Sequence, residues 1–143
     1  MANDFRITDA RAKDALDNLL TSEASGGKLR IYAGSLKAGE PTTPSGDLLA
    51  ELTMNATAFG AAAAAGTGVT ITAGSITKDS SANSAGTAGC FVLFDSAGTT
   101  ALCAGTVGTS GCDMTIDDTS IAAGAEVSCS AFTVSMPKGW TTT

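Results

Sequence analysis

Apolar positions along this chain fall into two regimes that meet at Gly26-Gly27. Before the glycines, Ala12, Leu16, Leu19 and Leu20 recur at i, i+4, i+7 and i+8, which is one face of a helix. Thr8 is a good N-cap, Asp9 places negative charge in the first turn, and Ser25-Gly26-Gly27 stops the pattern. The spacing predicts one amphipathic helix over residues 9–22, preceded by a short arm that carries Phe5 and Ile7. Lys13 and Asp17 fall at i,i+4 and predict a surface ion pair. A lone terminal helix gains stability only by docking, either on its own β domain or on a neighbouring subunit. The stripe Leu16, Leu19 and Leu20 serves either use.

After the glycines the period becomes two. Lys28–Tyr32 alternates, with Leu29 and Ile31 inward, and a turn-rich loop from Gly34 to Gly46 holds Pro41 and Pro44. Leu48, Ala50, Leu52 and Met54 define the inner face of the next strand, followed by Val69, Ile71 and Ala73. Cys90–Phe94 is apolar on both faces and reads as a central, doubly covered strand. Asp95–Gly98 is a turn, with Thr100–Val107 returning as the partner strand. Met114 and Ile116 mark a short strand and residues 117–124 a loop. Val127, Cys129 and Ala131 then share one parity, and Phe132, Val134 and Met136 the other, so a bulge near Ala131 is expected. Pro137 ends that strand. The segment 55–89, rich in Ala, Gly, Thr and Ser, fits either a flexible loop or a closely packed strand pair. These elements predict a mainly β chain: a β-sandwich or jelly-roll-like domain of about seven or eight short strands with one N-terminal amphipathic helix. The expected organisation is an arm and helix over 1–27, a β-sandwich domain over 28–137 and a C-terminal tail over 138–143.

Composition narrows what such a chain can do. It has no His, so no Ser or Cys has the usual activating base, and the expectation is no catalytic residue and no enzyme. Residues 1–30 balance five basic against five acidic side chains, while the remainder sets three against nine and carries the whole net charge of −6. That sign argues against nucleic-acid and anionic-membrane partners. No apolar run approaches a membrane span, and no apolar stretch follows the charged opening, which predicts a chain made and kept in a cytoplasm unless other machinery exports it. Asp113, Asp117 and Asp118 cluster but lack EF-hand spacing and read as turn residues; no metal and no cofactor is expected. Cys90, Cys103, Cys112 and Cys129 form no CxxC and read as small buried apolar groups. A Cys90–Cys103 disulfide stays open, because a hairpin centred on Ser96/Ala97 would set them opposite, whereas a bulge at Gly98 would separate them. Trp140 is the one large aromatic outside the strands, and with Phe5 and Ile7 it is a candidate partner anchor.

Three stretches carry a resemblance: Phe91-Val-Leu-Phe-Asp-Ser-Ala-Gly-Thr-Thr100, then Gly105-Thr-Val-Gly108, then Met114–Gly124 leading into the Val127–Met136 strand. Together with the Arg11–Leu20 helix and Leu29–Gly34, most of the chain resembles small virion proteins of tailed bacteriophages, capsid decoration (cement) proteins above all. The resemblance implies a non-enzymatic structural protein on the capsid exterior of the virion, clamping neighbouring capsomers. Its implied partners are the major capsid protein and itself, as a homodimer or homotrimer. It assigns no catalytic or binding residue. The rival reading is a tail-tip or fibre module that binds a host surface glycan or receptor. Tyr32 and Trp140 are the only Tyr and Trp, and Tyr32 lies inside a predicted strand, which weakens that rival.

Overall fold

The structure, a computed structural model, describes residues 3–137 and 139–142. Half of the chain is strand and about a tenth is helical. The helix stands where its spacing predicts: α1 spans Asp9–Leu16 and continues as a π-helical segment over Asp17–Ser22. Thr8 caps it, with its hydroxyl accepting from the Arg11 N–H at 3.3 Å. Among the described residues no helix is long and apolar enough to cross a membrane.

Among the described residues fourteen strands follow or flank this helix. They are β1 (Asn3–Arg6), β2 (Lys28–Ala33), β3 (Leu36–Lys37), β4 (Glu40–Pro44), β5 (Leu48–Met54), β6 (Ala63–Ala65) and β7 (Gly68–Thr72), then β8 (Ile76–Thr77), β9 (Gly86–Phe94), β10 (Ala101–Gly108), β11 (Met114–Ile116), β12 (Ser120–Ile121), β13 (Cys129–Pro137) and β14 (Gly139–Thr142). The excess over seven or eight arises because long strand paths are broken. β5–β6 and β7–β8 form one irregular hairpin, tied at Ala65↔Gly68, Ala63↔Thr70, Phe59↔Ala73, Met54↔Ile76 and Thr53↔Thr77. Of the two arrangements expected for the segment 55–89 the strand pair is the one found, β6 on β7, as the tip of this hairpin.

Ten strands make one mixed sheet in the order β6-β7-β13-β11-β10-β9-β2-β5-β8, with β12 also on β9. The chain is mainly β with one helix, as expected, and this mixed sheet is curled. Phe91 on β9 and Phe132 on β13 lie three strand spacings apart, about 14 Å on a flat sheet. Their rings meet at 4.9 Å, and Phe132 also meets Phe59 at 5.4 Å, both edge to face. The curl brings its flanks together past β8, where Asp79 and Val127 exchange backbone hydrogen bonds of 2.8 and 2.9 Å. The Asp79 carboxylate reinforces that seam by accepting from the Glu51 and Ser81 N–H groups, each at 2.9 Å.

The helical segment covers what would be an open edge of the long hairpin. Asp17 Oδ1 accepts from Ala62 N–H at 2.8 Å, Thr21 donates to the Gly60 carbonyl at 3.1 Å, and Ser25 to that of Ala56 at 2.7 Å. Gly26 N–H then donates to Asn55 and Met54 N–H to Gly27, which leads directly into the β2–β5 ladder. Asp17 is thus committed to the sheet edge, in place of the expected pairing with Lys13. Arg11 instead bridges Asp14 at 2.9 Å.

Local expectations fare well in the strands. β9 is central between β10 and β2, and Cys90, Phe91, Val92 and Leu93 are all buried. The strap β3–β4 packs against β9 and β10, in keeping with burial on both sides of β9. Gly89 is required there: a Cβ at this position would collide with the Gly34 carbonyl. The bulge in β13 falls at Ser130, one residue from the expected place, since Thr115 pairs with Ala131 but Ile116 with Cys129. One pairing has no counterpart in the sequence pattern: β10 and β11 run parallel, Val107 beside Met114, across a connection of only a few residues. Asp113 makes this possible by accepting from both the N–H and the hydroxyl of Thr106, at 2.8 and 2.9 Å.

Candidate interaction surface

Outside the curled sheet, the two ends of the chain form a structure of their own. β1 and β14 pair antiparallel, Asn3↔Thr142 through Arg6↔Gly139, with Phe5 opposite Trp140 along the backbone. The connection is imposed locally at both ends. Pro137 removes a backbone donor and terminates β13, and Thr8 turns the chain into α1 on the other side. Ile7, half buried, packs against the core and fixes the base of the ribbon. Phe5 is 62% exposed and is the one exposed large apolar side chain among the described residues. The side chain of Trp140 lies outside the described residues.

The other candidate anchors are placed differently. Leu16 and Leu20 are 3% and 0% exposed and belong to the core together with Ala12, Phe59, Val69 and Phe132. Leu19 is half buried against the same cluster. The helix therefore docks on its own β domain, and Leu16 and Leu20 face that domain's interior, not a neighbour.

The acidic cluster serves local structure. Besides the Asp113–Thr106 clamp, Asp118 accepts from Ser120 N–H at 2.8 Å, and Asp117 takes the Ser128 hydroxyl at 3.5 Å. Asp117, Asp118, Ser120 and Glu126 line a groove of about 280 Å³, where Glu126 bridges Lys78 at 2.7 Å. Among the described residues no three His, Cys, Asp or Glu side chains are grouped to hold a metal ion. A second, shallower groove of about 520 Å³ runs between the helical segment and residues 57–61, lined by Asp14, Asn18, Thr21 and Gly60.

All four cysteines are free thiols. The β9–β10 register explains why Cys90 and Cys103 do not pair. A bulge after Ala101 sets Cys103 opposite Leu93, while Cys90 faces Thr106. The offset begins at the turn, where Gly98 adopts φ +73 and its N–H donates to the Asp95 carbonyl. Burial pushes the Cys103 thiol up to about 11, and burial does the same for Cys129.

The pairing of the two termini was not foreseen from the sequence. The signal that bears on it is weak: Phe5 and Trp140-Thr-Thr are β-favouring residues at opposite ends of the chain. The chain matches no protein-family model, no curated protein and no solved structure.

Proposed function

We propose that this chain is a virion structural protein of the capsid-decoration kind, binding the outside of an assembled phage shell and holding neighbouring capsomers together. The observation that carries the reading is the terminal ribbon. The body is a curled sheet, its helix covers the edge that the hairpin would expose, and the one exposed large apolar side chain among the described residues stands on β1. A small subunit built this way presents an exposed apolar side chain on a β-prone element while its acidic residues favour solubility of the body. Binding across a seam would stabilise the assembled shell by mass action, and self-association would multiply weak contacts by avidity.

The test is co-sedimentation of the purified protein with empty shells of the phage that encodes it, beside binding to host cells. Saturable shell binding that raises the shell melting temperature, and that Phe5→Asp weakens, is the expected result. Cell binding without shell binding would overturn the reading and make the protein a tail-tip or fibre module.

A further inference from the structure

We infer that the strap β3–β4 is a lid: residues 35–45 come off the sheet together when a clasp between Ser35 and Ser45 opens, with the rest of the fold intact, and uncover an apolar strip on β9 formed by Cys90 and Val92. The two faces of β9 are buried by different means. Phe91 and Leu93 belong to the main core, whereas Cys90 and Val92, at the alternate positions, are fully buried yet lie outside that cluster. The strap packs over β9 and β10, and because its own side chains keep contact with solvent it lies on that outer face, not in the core. Such a cover is weakly held. None of the described side chains from 34 to 47 is fully buried. Among the described residues β3 and β4 pair with each other and with no strand of the main sheet. The bonds that close the strap gather at its base, where Ser45 N–H donates to the Ser35 carbonyl at 2.8 Å and Ser35 N–H to Ser45 Oγ at 3.0 Å. Two short strands alone are marginal, and segments with few buried contacts open locally at far lower free energy than the whole domain. The strand beneath has the opposite character, since β9 is laddered on both sides by β2 and β10. Exposure of Cys90 and Val92 is therefore a local event of the strap, separate from unfolding of the sheet.

The lid goes beyond the shell-binding reading and its test contains no shell. The full chain, at neutral pH and well below its unfolding transition, is treated with iodoacetamide. Alkylation of Cys90 is followed by peptide mass spectrometry, beside amide hydrogen exchange. Cys90 should be alkylated while the β9 amides around it stay protected, and the amides of Ser35 and Ser45 should exchange well before those of β9. Its alkylation should respond little to low urea, because a local opening exposes little surface. Ser45→Ala removes the side-chain acceptor of the clasp and should speed alkylation of Cys90 about three- to tenfold, with the urea midpoint of the domain nearly unchanged. Alkylation of Cys90 only in step with exchange of the β9 amides overturns the inference, and the wild-type chain alone decides this. Alkylation that Ser45→Ala leaves unchanged also overturns it, because the thiol is then reached by a route other than the strap.

Discussion

Asp95 shows how one side chain sets a hairpin. Its carboxylate accepts from the N–H groups of Thr99 and Thr100 at 3.0 and 3.3 Å, and these bonds, Thr99 first, hold its pKa below the usual carboxylate range. The folded state therefore favours the ionised form, and the stabilisation is present above the ordinary Asp pKa and lost as pH falls through the lowered one. Asp95→Asn removes the charge at every pH. The urea midpoints of wild type and variant should differ by a constant amount near neutrality and converge in acid; a gap that persists in acid would show that the charge does not hold the turn. The thiols titrate in the other direction. Because burial raises Cys103 and Cys129 to about 11, both are protonated at neutral pH and poor nucleophiles. A thiol reagent at neutral pH should modify these two slowly in the native protein. Unfolding without reductant should release all four at once, and a deficit would mean disulfides that the β9–β10 register does not accommodate.

At the scale of elements, the helix and the arm part company. Leu20→Ala removes a fully buried side chain and should cost about 2–5 kcal/mol of unfolding free energy. Phe5→Ala, at an exposed position of β1, should stay within about 0.5 kcal/mol. Asp17→Ala strips the acceptor from the Ala62 N–H at the edge of the long hairpin and should cost about 1–3 kcal/mol. Chemical denaturation measures all three, and equal losses for Leu20→Ala and Phe5→Ala would contradict the helix placement. By the same logic, deleting residues 1–22 should leave a molten domain, while deleting 1–6 should not. The helix, its cap and its stop, the strand Lys28–Tyr32, the doubly buried β9 and the bulge in β13 were all legible in the sequence, because each is written in a local period or a local turn. The curl was not: it rests on Phe132 reaching Phe91 and on Asp79 meeting Val127, contacts between residues with no shared periodicity. The short parallel step from β10 to β11 was hidden for a related reason, since an Asp in a loop looks like any turn residue until its Thr106 partner is known. The candidate anchors divide the same way, with Leu16 and Leu20 drawn inward by a sheet edge that the sequence pattern did not reveal.

For the whole molecule, charge provides a way to test which surface would carry the proposed shell contact. The excess of acidic side chains lies beyond residue 30, on the β body, where pairs such as Lys78–Glu126 are more than half exposed and each contributes no more than about 1 kcal/mol. The ribbon strand β1 carries one acidic and one basic residue and no net charge. These surfaces respond differently to salt. Between about 0.1 M and 1 M salt the screening length shrinks from roughly 10 Å to 3 Å, which weakens attraction between an acidic body and a basic shell but leaves apolar burial and strand pairing nearly intact. If the ribbon makes the contact, shell binding should change by no more than a few fold over that range, and Phe5→Asp should weaken it at every ionic strength. Binding that collapses with salt and ignores Phe5 would transfer the interface to the acidic side chains of the β body. The salt series and the Phe5 variant must therefore be run together, because either one alone leaves the acidic side chains and the ribbon as equal claimants to the shell.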